Sequence, residues 1–108
     1  MSDAHENNRA ERIIVHVDSE LEDLLPGFLE DWKGEIDSMR EALERNDYEM
    51  IRKLGHNMKG TGGSCGLEAI TDTGRRLEEA AKAMAPEEIR VNLDALSSYL
   101  ERVELVYE

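Results

Sequence analysis

The stretch Leu54–Gly66, "LGHNMKGTGGSCG", decides the fold, because it reads either as a helix ending at its first glycine or as one that runs on. On the first reading Gly60 caps the helix in a left-handed conformation and residues 60–66 form a turn. The apolar positions favour the second. At about 100° per residue, Ile51, Leu54, Met58, Thr61 and Cys65 fall within roughly 80° of arc, a single stripe that needs helix as far as Cys65. His56 lies about 180° from the middle of that stripe and faces water, with Arg52, Lys59, Gly60 and Gly63 on the same outer side. Glycine inside a helix costs roughly 1 kcal/mol relative to alanine, so glycines kept beside an exposed imidazole need a reason.

The same rhythm extends outward in both directions. Phe28, Leu29, Trp32, Ile36, Met39 and Leu43 recur at three- and four-residue steps, which predicts a long helix from about residue 26. Asp47 is a natural N-cap for the helix that carries His56. A third helix follows through Leu67, Ile70, Gly74, Leu77, Ala81 and Met84. The "APEE" segment places Pro86 at an allowed first position, opening a last helix that buries Ile89, Leu93, Leu96, Leu100 and Val103. Upstream, Ser19 and Glu22 have capping-box spacing, which predicts a short helix over 19–25. "IIVHV" at 13–17 is expected to pack as an extended arm. No segment alternates convincingly enough to be read as a strand. The expected fold is all-α: an antiparallel up-down four-helix bundle with a short N-terminal extended arm and helix. Residues 1–12 are expected to be a flexible N-terminus, with 13–108 forming the domain.

Bulk properties narrow the function. The chain has 108 residues, one domain's worth, with 13 Lys+Arg against 25 Asp+Glu and a formal net charge of -12. That sign repels phosphate backbones and acidic lipid, which argues against nucleic-acid and membrane partners. No uncharged apolar run approaches the roughly 20 residues of a membrane span. The start is polar where a secretory signal would be apolar, and Met1 suggests a natural start, so a cytoplasmic location is expected. The single cysteine, Cys65, has no intramolecular partner, and no His/Cys cluster points to a structural metal.

What remains is an exposed histidine with a lysine one turn away and a surface without bulk. Free imidazole titrates near 6.5, so at physiological pH it is mostly a neutral nucleophile. A compact ammonium on Lys59 can offset charge placed on the ring, and bare glycines let a large partner bring its own reactive group close. Those are the requirements of a nucleophile that accepts phosphate from another protein. An independent enzyme fits less well. No orienting carboxylate stands at readable spacing from His56, no phosphate-binding loop is present, and 108 residues leave no room for a nucleotide-binding domain. A cofactor-binding bundle using His56, Met58 or Cys65 fits poorly too, because His56 and Met58 point to different sides and Met58 and Cys65 stand at core spacing.

The segment "HNMKGTGGSCGLEAITDTGRRLEEAAK" resembles the histidine-containing phosphotransfer (HPt) domains of bacterial multistep two-component phosphorelays. The shared pattern is H-x-x-K-G, a glycine ten residues beyond the histidine, and an L-E pair in the next helix. Here these are His56, Lys59, Gly60, Gly66 and Leu77-Glu78. The preceding "FLEDWKGEIDSMREALERNDYEMIRKLGH" is also similar, so the resemblance covers about 13–108. Met58 stands where leucine is common, a volume-conserving change. The resemblance implies that His56 carries a phosphoryl group on Nε2 between aspartates of receiver domains, in response regulators or a hybrid sensor histidine kinase. It implies that Lys59 stabilises phosphate charge, that Gly60 leaves room for the receiver, and that the chain has no kinase activity of its own. Magnesium would belong to the receiver, so no cofactor and no metal site are expected in this chain. Helix geometry adds Arg52 and Gly63 as candidate contacts. A monomer is expected. The alternative is a receiver-binding module that does not relay phosphate.

Overall fold

The computed structural model describes residues 11–108, so the expectation of a flexible N-terminus falls almost wholly outside the described residues. In chain order the elements are strand β1 (Ile13–Val17), a 3-10 turn (Ser19–Leu21), and helices α1 (Leu25–Glu44), α2 (Tyr48–Cys65), α3 (Glu68–Lys82) and α4 (Pro86–Arg102). Strand β2 (Val103–Tyr107) ends the chain. Four amphipathic helices therefore make up most of the molecule, as the apolar spacing predicts.

Local chemistry explains most of the boundaries. Pro26 sits in the first turn of α1, where its missing N–H has no intrahelical partner to lose. Asp47 caps α2 by accepting a hydrogen bond from the Met50 N–H at 3.2 Å. The helix then runs unbroken through Gly60 to Cys65. Its end is at Gly66, whose φ of 75° is the left-handed conformation that glycine adopts without a side-chain penalty. That turn lets the Leu67 N–H reach back to the Gly62 carbonyl at 2.9 Å. Pro86 stands at the start of α4, as expected.

Two expectations are corrected. The segment 19–25 is not a helix but a single 3-10 turn at Ser19–Leu21. Its cap is Asp18, whose side chain accepts from the Glu20 N–H at 2.9 Å, so the Ser19–Glu22 capping box does not form. The reason lies at Pro26. A proline must stand in a helix's first turn, so α1 claims Leu25, and too few residues remain upstream for a helix of their own. The second correction is at the other end. Val103 opens β2 rather than closing α4, and β2 pairs with β1 in parallel, from Ile13 opposite Val103 to Val17 opposite Tyr107. The extended arm is thus one strand of a two-stranded sheet that clasps the ends of the fold. Backbone bonds at 2.9 Å, from Ser19 N–H to the Glu108 carbonyl and from Glu108 N–H to that of Val17, complete the clasp.

The core joins Leu25, Trp32, Ile36, Met39 and Leu43 of α1 to Ile51, Met58 and Cys65 of α2, Ile70 and Leu77 of α3, and Ile89, Leu93, Leu96 and Leu100 of α4. On α2 the buried line is Ile51, Gly55, Met58, Gly62 and Cys65, with Leu54 and Thr61 only partly covered. This line is turned about 40° from the expected stripe, towards the glycines. Thr61 instead meets α1, accepting a hydrogen bond from the Trp32 indole at 3.2 Å.

The turn exists because α2 and α3 touch backbone to backbone. A Cβ on Gly55 would stand 2.9 Å from the Glu78 nitrogen and the Gly74 carbonyl oxygen. One on Gly74 would stand 2.6 Å from the Lys59 nitrogen, and one on Gly62 would stand 2.8 Å from Ile70 Cγ2. Gly60, by contrast, has open space where a Cβ would go. Gly74→Ala is therefore expected to destabilise the fold by about 1–3 kcal/mol, since rigid backbone cannot yield to the added methyl. Gly60→Ala should be neutral or stabilising by up to about 1 kcal/mol. Chemical denaturation of the two variants checks both signs.

Candidate functional site

The close approach of α2 and α3 determines what surrounds His56. Its ring stands on the outer flank of α2, with 60% of the side chain exposed. Directly across the crossing is Glu78 of α3, whose side chain is only 9% exposed. His56 Nδ1 lies 3.1 Å from Glu78 Oε2, and Lys59 Nζ lies 3.1 Å from Oε1. Lys82 Nζ approaches Oε2 at 3.9 Å. One nearly buried carboxylate thus holds the histidine and two lysines.

The ionisation of Glu78 follows from competing effects. Burial on its own would raise its pKa, but hydrogen bonds from Lys59 and His56, together with their charges, outweigh it and bring the pKa below the usual carboxylate range. Glu78 is therefore an anion at neutral pH and can only accept hydrogen bonds. Its contact with Nδ1 requires the ring proton to sit there. The Nε2 lone pair is then left free on the exposed side of the ring.

The surface beyond the ring is low. Gly60 has nothing within 4 Å of a would-be Cβ, and at Gly63 only the Thr71 hydroxyl comes near, at 3.8 Å. Arg52 lies on the same face, as helix geometry predicts, but its guanidinium is engaged by Glu49 through Nε at 3.1 Å and a second nitrogen at 2.5 Å. That pairing raises the Arg52 pKa and lowers that of Glu49. Gly66 is not part of this surface; it ends α2. Met58 is fully buried and Cys65 nearly so, both as core residues. No group of three or more metal-ligating side chains gathers among the described residues, and no helix there is long and apolar enough to cross a membrane.

A family model for the Hpt domain matches residues 23–105, from just before α1 into β2. The chain belongs to the Hpt domain family. No curated protein and no solved structure gives a match. Hpt domains are phosphocarrier modules of phosphorelays, working with receiver domains and kinases rather than as independent kinases.

Within this Hpt domain, the sequence pattern included Glu78, in the Leu77-Glu78 pair, but gave it no role as the carboxylate that orients the ring. Glu78 is 22 residues from His56 and on another helix, so no short motif links them. A signal was nonetheless present. Glu78 follows Gly74 by one turn and adjoins Leu77, which places a carboxylate at the edge of the buried stripe of α3, where a charge requires a cationic partner. Gly74 stands on the apolar stripe of α3, whereas the glycines at 55 and 62 show no such signal until their neighbours are known.

Because the folded-state pKa of Glu78 is lowered, its contribution to stability is complete above about 4.5, the unfolded value, and is lost as pH falls through the folded value. The stability advantage of the native chain over Glu78→Gln should accordingly shrink as pH drops below that range, measured by urea denaturation at a series of pH values. In the neutral native protein, 15N chemical shifts of the His56 ring should report the proton on Nδ1. In Glu78→Leu they should report a mixture of tautomers.

Proposed function

We propose that His56 is the phosphoacceptor of a phosphoryl carrier that shuttles phosphate between aspartates of receiver domains. The observation that supports this most directly is the Nδ1–Glu78 contact at 3.1 Å on a ring that is otherwise open to solvent. It gives the imidazole a single reactive nitrogen and points that nitrogen outward.

The step balances without moving a proton. The Nε2 lone pair forms a bond to the phosphorus of a receiver's aspartyl phosphate. The bond between phosphorus and the aspartate oxygen breaks, and its electrons leave with the carboxylate. Nδ1 keeps its proton, so the phosphorylated ring is cationic, and the Glu78 anion beneath it offsets that charge. Attack on phosphorus by a second receiver's aspartate reverses the sequence and restores the neutral ring. Lys59 has three N–H donors, of which Glu78 takes one, leaving others for a phosphoryl oxygen. Gly60 and Gly63 provide clearance for the receiver's loops. Magnesium and the acid–base residues of the reaction are assigned to the receiver, and this chain is assigned no cofactor.

Charge distribution supports an acidic partner pocket. Residues 48–82, which span α2 and α3, carry six Lys/Arg against five Asp/Glu, one of them the ion-paired Glu78. Their net of +1 leaves -13 on the rest of a chain whose total is -12. An aspartate-rich receiver site, or that of a hybrid sensor histidine kinase, is attracted to this face and repelled elsewhere. The carrier is proposed to act as a cytoplasmic monomer, with residues 13–108 forming one domain. Its helices are proposed to run antiparallel, up and down in turn, as connections of two or three residues favour.

The test is phosphotransfer from phosphorylated receiver domains of the source organism. Native protein should gain an acid-labile, comparatively base-stable label, and ATP with magnesium alone should give none. His56→Gln should abolish labelling with helix content unchanged. Lys59→Ala should slow transfer roughly 10- to 100-fold, the equivalent of one charge-assisted hydrogen bond of about 1.5–3 kcal/mol. Gly60→Leu should block docking. Labelling of His56→Gln at the native level would overturn the assignment. Receiver binding without any transfer would mark a module that does not relay.

A further inference from the structure

Glu78 gathers more positive charge than one carboxylate neutralises, and its two lysines are held very differently. Lys59 makes a hydrogen-bonded contact at 3.1 Å to Oε1 with its side chain 36% exposed. Lys82, in the last turn of α3, reaches only 3.9 Å from Oε2 with its side chain 59% exposed. That separation is an ion pair without a hydrogen bond, on a flexible four-carbon stem.

Lys82 is nevertheless close to the ring. It shares Oε2 with His56 Nδ1, and the two distances together place its ammonium within 7.0 Å of that nitrogen. Lys59 sits at the other oxygen, so the two ammonium groups flank the carboxylate from different helices. Two nearby arginines are paired with other carboxylates: Arg52 with Glu49, and Arg75 with Asp72 at 3.0 Å and Glu79 at 3.9 Å.

We propose that Lys82 is a second phosphate-binding residue of this site, which exchanges its loose contact with Glu78 for the phosphoryl group once His56 is loaded. The inference rests on His56 as phosphoacceptor. A phosphoryl group on Nε2 adds close to two negative charges to a ring whose Nδ1 lies within 7.0 Å of the Lys82 ammonium, against the single, already shared charge of Glu78. The exchange breaks no hydrogen bond and leaves Lys59 on Oε1, so the ring keeps its orientation while the phosphoryl group acquires a cation. Phosphate held this way has its ionised form favoured by Lys82.

The test uses the full chain and phosphoramidate, a small donor that transfers its phosphoryl group to imidazole and releases ammonia. The 31P signal of phosphorylated His56, assigned by its absence from His56→Gln, is titrated with pH in native protein and in Lys82→Ala, Lys82→Gln and Lys82→Arg. Removing a cation this near should raise the midpoint of the phosphoryl group by roughly half a pH unit or more in the alanine and glutamine variants, and arginine should restore it. A structural role for this exposed lysine would not produce that pattern. Identical midpoints in all four proteins, or a rise in the arginine variant as large as in alanine, would overturn the role of Lys82 alone. Absence of any His56 phosphohistidine signal in the native protein would overturn the phosphoacceptor assignment and this inference together.

Discussion

The distance between two helix backbones governs this site. Where α2 crosses α3, Gly55, Gly62 and Gly74 leave no room for a Cβ of their own, because backbone and side-chain atoms of the facing helix occupy that space. Only at that separation can Glu78 of α3 reach under a ring carried by α2. The glycines cost helix propensity, roughly 1 kcal/mol each in an exposed interior, and the close packing they permit offsets that cost. The chain thus uses glycine for two separate purposes within one helix. Gly55 and Gly62 serve approach from within, while Gly60 and Gly63 leave the outer surface beside the ring low.

A second consequence of that crossing is electrostatic. A carboxylate shielded from water is costly unless it is paired, and here pairing is abundant. Lys59, His56 and Lys82 all converge on Glu78. The anion keeps its charge because these partners outweigh its burial, and that charge holds the imidazole in one tautomer. In a molecule of net charge -12, this corner is where cations are concentrated. Orientation and ionisation therefore share one geometric origin.

How much of this was legible depended on whether the cause was local. The passage of α2 through its glycines could be read because Ile51, Met58 and Cys65 hold helical spacing across them, and the Asp47 cap and Pro86 start are side-chain effects within one turn. The outward face of His56 followed from the same arithmetic. The β1–β2 sheet was not legible. "VELVY" continues the apolar series of α4, and its partner "IIVHV" lies some ninety residues away, so nothing local marks the pairing. The Ser19–Glu22 pattern misled because Asp18, one residue earlier, offers a carboxylate to the same turn. Glu78 escaped for the reason the strands did, in that its role is defined across a contact between elements.

For the proposed carrier role, the choice of a carboxylate beneath the ring bears on reversibility. A neutral amide oxygen could also accept the Nδ1 proton and fix the tautomer, but it would not offset the positive charge that develops when Nε2 forms its bond. An unshared carboxylate would offset it fully and hold phosphate on the ring, slowing onward transfer to the next aspartate. Glu78 is intermediate, since its charge is already divided among Lys59, Lys82 and the ring. In the proposed carrier, a cation that turned from the carboxylate towards phosphate would strengthen the hold of Glu78 on the imidazolium and share the phosphoryl charge between the ring and that cation. The proposed carrier would have to accept and release the same group with similar ease, which needs opposing contributions of this kind, and the contact of α2 and α3 at their glycines brings Lys59, Lys82 and the ring within reach of one carboxylate.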